Sequence, residues 1–361
     1  MPTFAKRILV VGGAGGVGRF LCREVIRLLG KGSLIVGDYK PERGQILADS
    51  LGAEFRRTDV LTLDEKALDG ADAVVVAMPQ SEPRVQAACI ERRIACFDIA
   101  SITGEFAAKV ETLDGPAQST GTLIVVTAGL IPGLSGVIVK RASKDYDKID
   151  EIHVGLLENT KASSPGPAGF ADWFGMLAKP VIYKGQRHHG FSVMRRIVYP
   201  EPFGERTVRL FDYPEGAIIR RKCNAQEVYY WTAFDKESIN HLLGLLRRLR
   251  VLDLFNAPQT RRKVARIFSG ANRMLKMHDT NVALTVEVSG IKRAEHSLTR
   301  ISIVGPSDYG TTAMATVAMA KLFLNGDVQA TGVRYPMDMF TLTALITAMD
   351  SPEVKLFAPA N

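Results

Sequence analysis

The chain has 361 residues, 46% hydrophobic and 23% charged, a composition that excludes a disordered or fibrous protein and suits two globular domains of about 100–200 residues each. Its formal net charge of +8 invites a nucleic-acid-binding role. The basic runs at 247–250 and 261–266, however, alternate with apolar residues at helical spacing. We therefore expect solvated helix faces and no nucleic-acid partner, with an anionic substrate or a membrane surface as the alternative.

The first residues, MPTFAKRILVV, lead straight into an apolar run without a signal-peptide region or cleavage site, so a cytoplasmic protein is expected. The longest nearly apolar stretch, 122–139, is interrupted by three glycines and a proline, which speaks against an integral membrane span. The four cysteines show neither CxxC pairing nor metal-site spacing, so we expect reduced thiols and no bound metal.

Short apolar runs alternate with amphipathic segments through the first 130 residues. The runs lie at 8–11, 34–36, 73–77, 95–99 and 123–127. This alternation predicts an α/β fold with a doubly wound parallel sheet of the Rossmann type. In the first helix Val17, Leu21 and Val25 share one face, and Gly30 stands where a C-terminal cap belongs.

The segment ILVVGGAGGVG places Gly13, Gly15 and Gly18 as GxGxxG between the first strand and the first helix. Gly13 allows a tight turn, Gly15 lets the backbone approach a pyrophosphate, and Gly18 lets the helix pack closely on the strand. Asp38 ends the second strand 20 residues past Gly18, where a carboxylate binds the ribose hydroxyls of NAD. A glycine-rich turn without a ligand is the alternative.

The choice between NAD and NADP stays open in the sequence. Asp38 repels the 2′-phosphate of NADP, whereas Lys40 and Arg43 offer that phosphate partners. We expect NAD, with NADP possible. Further contacts are expected after later strands, at Asp59 and Val60 for the adenine and at Ala77, Met78 and Pro79 for the middle of the cofactor.

Motifs of other enzyme classes are incomplete in this sequence. GLSG at 133–136 lacks one residue of the GxSxG nucleophile elbow, and the HExxH and Walker motifs do not occur. The spacing of the glycines also fits the short-chain dehydrogenases, but no tyrosine here has the lysine four residues on that those enzymes need.

After about residue 150 the apolar runs become strand-like and helices fewer, which predicts a second α+β domain. We divide the chain into a dinucleotide-binding domain at 1–133, a substrate and dimerisation domain at 134–326, and a segment at 327–361 that returns to the first domain. The loop KASSPGPAG at 161–169 is a candidate lid or an ordinary surface connection.

The glycine-rich turn, Asp38, VVVAMP, CFDIAS and TAGLIPGLSG follow one another in an order that resembles the saccharopine dehydrogenase-like superfamily. That superfamily includes saccharopine reductase, lysine 6-dehydrogenase and the carboxynorspermidine dehydrogenase type. The resemblance covers nearly the whole chain and implies an NAD(P)-dependent dehydrogenase or reductase, in which hydride passes between nicotinamide and an imine or amine carbon. It also implies a homodimer.

The resemblance places the phosphate loop on 13–18 and the loop that faces nicotinamide and substrate on Ala100, Ser101 and Ile102. The residues expected to contact the cofactor are Gly13, Ala14, Gly15, Gly16, Val17, Gly18, Asp38, Tyr39, Asp59, Val60, Ala77, Met78, Pro79, Ala100, Ser101 and Gly129.

The family's GLDPG loop, whose aspartate reaches the substrate amino group, falls on 129–133, where Ile131 replaces the acid. A site without that carboxylate lacks the charge-assisted hydrogen bond that a substrate ammonium needs. Candidate replacements are Asp98, Glu158 and Asp172. The candidate catalytic residues are Ser101, Glu158, Asp172 and Tyr213, and the candidate substrate contacts are Ile131, Trp173, Arg209 and Arg220.

The predicted function is hydride transfer to or from an imine or carbonyl carbon of a small metabolite that has a more apolar anchor than an amino acid. One alternative is an amino-acid dehydrogenase of the lysine or saccharopine type, acting at a CH–NH group, with Glu158 or Asp172 in place of the lost acid. The other is a catalytically inactive NAD(P)-binding regulatory protein, which the missing aspartate also allows.

Overall fold

The computed structural model describes residues 6–99, 104–158, 175–256 and 281–359. Several predictions concern residues outside these ranges: the candidate lid at 161–169, the basic run at 261–266, and the site residues Ala100, Ser101, Ile102, Asp172 and Trp173.

The strands and helices of the described ranges are numbered in chain order. The strands are β1 Ile8–Val11, β2 Leu34–Asp38, β3 Glu54–Arg57, β4 Ala73–Val76, β5 Ala95–Asp98, β6 Leu123–Val126, β7 Lys148–Glu158, β8 Val181–Tyr183, β9 Gln186–His188, β10 Met194–Val198, β11 Glu205–Phe211, β12 Ala225–Phe234, β13 Val282–Lys292, β14 Glu295–Gly305, β15 Gly332–Arg334 and β16 Lys355–Phe357. The helices are α1 Gly16–Leu29, α2 Pro41–Leu51, α3 Arg84–Arg92, α4 Gly104–Glu111, α5 Asp114–Thr120, α6 Leu134–Ala142, α7 Glu215–Cys223, α8 Glu237–Arg248, α9 Asp308–Leu324, α10 Pro336–Met339 and α11 Leu342–Met349, with 3₁₀ turns at Glu65–Leu68 and Val251–Asn256. In this part of the chain no helix is both long and apolar enough to cross a bilayer.

The chain forms two compact units. The first consists of residues 1–137 and 309–352, and the second of residues 138–308 and 353–361. The segment 138–308 is therefore inserted between the two pieces of the first unit.

The first unit contains a parallel seven-stranded sheet in the order β15-β6-β5-β4-β1-β2-β3. Residues of β1, β4, β5 and β6 are buried along their whole length, as expected of parallel strands whose two faces are both covered. The order turns back at β1, which lies between β2 and β4. This topology confirms the predicted doubly wound Rossmann sheet.

Helix α9 belongs to the first unit. The Thr316 hydroxyl donates to the Ala128 carbonyl at 2.6 Å, and the ring of Phe323 meets Phe97 edge-on. The helix is rich in alanine, threonine and methionine, and its central residues are buried, which allows close packing on neighbouring backbone. Our sequence division had assigned this segment to the second domain, because small residues show no contact partner in a sequence.

The second unit contains a mixed seven-stranded sheet in the order β10-β11-β12-β7-β13-β14-β16. Strand β7 pairs in parallel with β12, and every other pair is antiparallel. One face carries an apolar core around the fully buried Trp231. Strands β8 and β9 form a separate hairpin. Together with the helices, this arrangement confirms a second α+β unit.

Candidate functional site

The candidate site lies at the carboxyl edge of the parallel sheet in the first unit. Ligands of doubly wound sheets bind at this edge, beside the position where the strand order turns back. Because all strands run in the same direction, the loops that follow β1, β2, β3, β4 and β6 meet at one edge. The predicted cofactor residues of the described ranges lie in these loops, at the end of β2 and in the first turn of α1.

The glycine-rich turn after β1 is held by backbone hydrogen bonds to the neighbouring strand. The amides of Gly12 and Gly13 both donate to the Gly37 carbonyl at 2.9 Å, and the Gly15 amide donates to Gly12 at 2.9 Å. Gly12 has a φ of +80°, a left-handed conformation that favours glycine. The tight turn thus depends on Gly12, one residue before the glycine to which the sequence pattern assigned it.

Gly18 lets helix α1 lie against this turn. A Cβ added to Gly18 would overlap the carbonyl oxygen of Gly12 and lie 2.7 Å from that of Gly13. Gly15 is also confined, since its Cβ would lie 3.0 Å from the Gly12 oxygen. The turn and the start of α1, residues 12–18, therefore pack backbone against backbone, and we call them the α1 cradle.

The N-terminus of α1 is suited to an anion. The helix begins at Gly16 and has 14 residues, no acidic residue in its first turn, and no side chain of the described ranges that caps it. The first-turn N–H groups and the positive end of the helix dipole are then free to act on a negative group placed there.

Asp38, the predicted ribose acid, joins the end of β2 to the glycine-rich turn. Its side chain is fully buried, and it accepts hydrogen bonds from the amides of Ala14 at 3.2 Å and Lys40 at 3.0 Å. Arg43 of α2 binds the same carboxylate through two nitrogens, at 2.9 and 3.1 Å. Its guanidinium also stacks on the Tyr39 ring at 5.1 Å.

The ion pair between Asp38 and Arg43 was not predicted from the sequence, although both residues were expected near the cofactor. From the sequence, Arg43 is a possible partner for a 2′-phosphate. In the structure its guanidinium instead binds the Asp38 carboxylate. The two carboxylate oxygens accept four bonds between them, so Asp38 is oriented before any ligand arrives.

The loop after β4 adjoins the glycine-rich turn. A Cβ at Gly12 would lie 3.3 Å from the Ala77 oxygen and 3.4 Å from Cβ of Met78. Both polar atoms of the Gln80 side chain are buried and lack a hydrogen-bond partner in the described part of the chain. A buried amide without a partner is unfavourable, and this makes Gln80 a candidate ligand contact that was not predicted from the sequence.

After β3, the Asp59 carboxylate accepts from the Leu61 amide at 2.9 Å, and Val60 is buried. Asp98, at the end of β5, is buried and accepts from Gln86 at 2.6 Å. The predicted roles of Asp59 and Val60 toward the adenine stay predictions.

The loop that contains Ile131 is closed on itself by its own backbone. The Leu134 amide donates to the Gly129 carbonyl at 2.9 Å, and the Leu130 amide bonds the Thr312 hydroxyl of α9 at 3.3 Å. Gly133 has a φ of +129°, and a Cβ there would overlap the Thr127 carbonyl oxygen. Ile131 itself is half-buried at the tip of this loop.

Tyr309 is a second residue that the sequence did not single out. A Cβ added at Gly16 would lie 3.2 Å from the Tyr309 ring. The Tyr309 ring also meets the Phe20 ring edge-on, with 6.2 Å between the ring centroids. The ring thus covers the first turn of α1 from a position far along the chain, and no local pattern indicates such a contact.

In the second unit the structure brings Glu158 and Tyr213 into one polar group. The Thr232 hydroxyl donates to Glu158 at 2.6 Å, and the Tyr213 and Tyr230 rings are 5.0 Å apart. The Tyr230 hydroxyl donates to Glu215 at 2.7 Å. Burial raises the pKa of Tyr213 well above its usual range, and the charges of Glu215 and Glu158 raise it further. Tyr213 therefore keeps its proton at neutral pH.

The two predicted arginines lie in different surroundings. Arg209 of β11 is half-buried, donates to the Phe191 carbonyl at 3.2 Å, and has a pKa lowered by burial. Arg220 is exposed on α7 and pairs with Glu227 at 3.8 Å. Their roles as substrate contacts stay predictions.

Two solved structures share this fold along nearly the whole chain. The saccharopine dehydrogenase (L-Glu forming) of Saccharomyces cerevisiae is 14% identical, with a TM-score of 0.64 over 98% of this chain and 100% of that one. The homospermidine synthase of Legionella pneumophila, solved in complex with NAD, is 11% identical, with a TM-score of 0.61 over 98% of this chain and 92% of that one. No protein-family model and no curated protein matches the chain.

At these identities the likeness concerns the fold and not the chemistry. It confirms, for the fold, the resemblance that the order of the sequence motifs indicated. The chain is similar in fold to saccharopine dehydrogenase and to a homospermidine synthase solved with NAD.

Proposed function

We propose that this protein is an NAD(P)-dependent oxidoreductase. The observation that carries the proposal is the backbone cradle of Gly12 to Gly18, which leaves no room for a Cβ at Gly18, together with the oriented carboxylate of Asp38. The fold shared with a homospermidine synthase solved with NAD supports it.

The residues present fit a dinucleotide on three observations. The α1 N-terminus and the glycine cradle suit a pyrophosphate, Asp38 suits ribose hydroxyls, and the unpaired amide of Gln80 offers both a donor and an acceptor. Gly12 to Gly18, Asp38 and Tyr39 would hold the adenosine half, with Ala77 to Gln80 beyond them. A bound nicotinamide supplies the hydride chemistry.

The substrate we propose is a small metabolite with an imine or carbonyl carbon. Ile131 supports an apolar anchor, because an isoleucine cannot neutralise a substrate ammonium. In the second unit, Tyr213 retains a proton that it can donate toward a developing amine or alkoxide, and Glu158 is the acid that Thr232 orients. Ser101 stays a predicted catalytic residue of the same proposal.

Glu158 also supports the alternative substrate class, an amino acid of the lysine or saccharopine type. Its carboxylate accepts a hydrogen bond from Thr232 and carries the kind of charge that the lost aspartate would have supplied. A regulatory protein that binds NAD(P) without turnover is the third candidate, supported by Ile131 alone. A cytoplasmic homodimer is part of the first proposal, and light scattering of the purified protein tests the dimer.

A thermal-shift screen with NAD, NADH, NADP and NADPH tests the cofactor. We expect a higher Tm with at least one of the four, since a ligand that binds only the folded state stabilises it. An unchanged Tm with all four contradicts the proposal.

Turnover of cyclic imines and ketones, with none of lysine or saccharopine, supports the first substrate class over the second. Binding without any turnover supports the regulatory protein.

Ile131→Asp tests the predicted position of the substrate anchor. If the loop at 129–133 faces the substrate, the new carboxylate gives activity on amines that the wild type does not oxidise. Initial rates with a panel of primary amines measure this, with Ile131→Asn as the uncharged control. A folded Ile131→Asp variant that stays as inactive on amines as Ile131→Asn contradicts the assignment.

A further inference from the structure

The second unit contains an open cavity of about 410 Å³ that is rich in arginine. It is lined by His189, Ser192, Met194, Arg209, Gly244, Arg247, Arg248 and Arg250. These residues come from the loop after β9, from β10, from β11 and from the end of α8 with the turn that follows it. We call this feature the arginine cavity.

Among residues 6–99, 104–158, 175–256 and 281–359, most of the arginines of the arginine cavity have no acidic partner. Arg247 is buried and bonds Asp253 at 2.6 Å. In the part of the chain that the structure describes, no carboxylate lies within 4 Å of Arg209, Arg248 or Arg250. Three guanidinium groups therefore line one cavity without a carboxylate partner among the described residues.

Arg209 is the most constrained of the three. Its guanidinium donates to the Phe191 carbonyl and stacks on the Phe191 ring at 5.6 Å. A Cβ added at Gly244 would lie 2.5 Å from the same guanidinium, so the absence of a side chain at Gly244 makes room for it. Burial lowers its pKa, because a charge is removed from water there without an anion to replace the lost hydration. A bound anion would supply that counter-charge.

The helix dipole of α8 does not by itself explain why all four arginines line the arginine cavity. Arginines in a last helical turn complement the negative end of the helix dipole, which explains Arg247 and Arg248. Arg209 belongs to a strand and Arg250 lies beyond the helix, with a φ of +59°. Side chains from separate elements that converge on one cavity are typical of a ligand site.

We propose that the arginine cavity binds a phosphate group with at least two negative charges. Guanidinium groups match the oxygens of a phosphate in pairs, and a fixed arrangement of several of them favours phosphate over a single carboxylate. The cavity volume is within the range of small-ligand sites. The cavity residues belong to the second unit and the α1 cradle to the first, and the proposal does not depend on the proposed oxidoreductase function.

Titration calorimetry of the full chain with inorganic pyrophosphate tests the proposal. The cavity variant is Arg248→Gln/Arg250→Gln, whose two positions are exposed, so folding is not at risk. We expect its affinity for pyrophosphate to be about tenfold lower than that of the wild type, or lower still, since each charged hydrogen bond contributes appreciably. The matched control, Arg221→Gln/Arg293→Gln, loses the same charge from exposed positions outside the cavity and should change the affinity less than about twofold.

A phosphate could be free or belong to a lipid headgroup, and vesicles distinguish the two sources. Binding of pyrophosphate that the cavity variant loses shows a free phosphate ligand. Binding to vesicles with phosphatidic acid but not to phosphatidylcholine vesicles, again lost in the cavity variant and without pyrophosphate binding, shows a headgroup. No binding of either probe by the wild type, or equal weakening in the cavity variant and the control, overturns the proposal.

The dinucleotide screen separates this inference from the proposed function. The cavity variant should keep the wild-type Tm shift with the dinucleotides, because both substitutions are remote in sequence from the α1 cradle and its strands. A shift that disappears in the cavity variant, but not in the control, would identify the cavity as part of the dinucleotide site and contradict a separate phosphate site.

Discussion

Gly18 and Gly115 are both helical glycines, yet they differ in what surrounds them. At Gly18 a Cβ would overlap the carbonyl oxygen of Gly12, whereas at Gly115 nothing lies within 4 Å. The spacing of GxGxxG predicted the role of Gly18, because only a glycine permits that approach of helix and strand. The position of the left-handed residue, Gly12, was not predictable from the same pattern, since two adjacent glycines both fit it.

We expect Gly18→Ala to lower the free energy of unfolding by about 1–3 kcal/mol and to weaken dinucleotide binding, because the new methyl group pushes α1 away from the turn. Gly115→Ala is the control, for which we expect no loss and a gain of up to about 1 kcal/mol. Urea unfolding and nucleotide fluorescence titration measure the two effects. Equal stability of the two variants would contradict the packing role.

His153 is a buried titratable residue in the second unit. Its Nδ1 accepts a hydrogen bond from the Trp231 indole at 3.0 Å, and its Nε2 lies 3.0 Å from Glu151. Burial, and then the charge of Arg195, lowers its pKa to about 3, although Glu287 acts in the opposite direction. The neutral imidazole, with its proton on Nε2, fits these partners.

The pH dependence of stability follows from this lowered pKa. The unfolded chain takes up a proton at His153 near pH 6.5, whereas the folded chain does so only near pH 3. The unfolded state therefore binds more protons between these values, so stability falls as the pH drops from about 6.5, by up to ~1.4 kcal/mol per pH unit. His153→Gln should reduce this slope in urea unfolding at pH 7.0 and 5.5, and the exposed His296→Gln should not. An unchanged slope in His153→Gln would contradict the assignment.

At the scale of elements, the end of β2 and the start of α2 act together through Asp38 and Arg43. The sequence located both residues from the strand, turn and helix pattern. Their mutual hydrogen bonds depend on the angle at which α2 leaves the sheet, which no local pattern gives. The same applies to the arginine cavity, because its residues are distant in sequence and each alone is typical of a charged surface.

We expect Asp38→Asn to weaken NAD binding by about tenfold or more, because it removes a charged acceptor for ribose, and to raise the ratio of NADP to NAD affinity. Without the carboxylate, Arg43 is released and the repulsion of a 2′-phosphate is lost. Titration calorimetry with both dinucleotides measures the ratio. Asp49→Asn, an exposed substitution of the same kind on α2, is the control, and a ratio equal in the two variants would contradict the role of Asp38.

At the scale of the whole molecule, the first unit is built from two distant pieces of the chain. The strands β1, β2, β4, β5 and β6 follow from buried apolar runs and were predicted within one or two residues. Strand β3, whose sequence is EFRR, contains no buried residue and no such run. The membership of α9 was not predictable, because it depends on contacts such as that of Thr316 with Ala128. The sequence division already places the segment 327–361 with the first domain, and β15 of that segment bonds Asp114 through the Val333 amide. The resemblance to a known family predicted more of the two-domain fold than the periodicity of apolar residues did alone.

The divided first unit makes a prediction about fragments. We expect residues 1–137 alone not to unfold cooperatively, because they lack α9 and the edge strand β15. Residues 1–137 joined to 309–352 by a flexible glycine and serine linker of about 20 residues should unfold cooperatively and gain Tm with the preferred dinucleotide. Circular dichroism melts measure both. A cooperative melt of residues 1–137 with the same gain in Tm would contradict this account.

Residues 332–357 add the outermost strand at one edge of each sheet, since β15 pairs with β6 and β16 pairs with β14. During translation, β6 and β14 therefore each keep an unpaired edge until residues 332–357 have left the ribosome. An uncovered strand edge pairs readily with other chains. A nascent chain that stalls before residue 330 would carry two such edges, so synthesis of residues 332–357 is itself a step that protects this protein from aggregation.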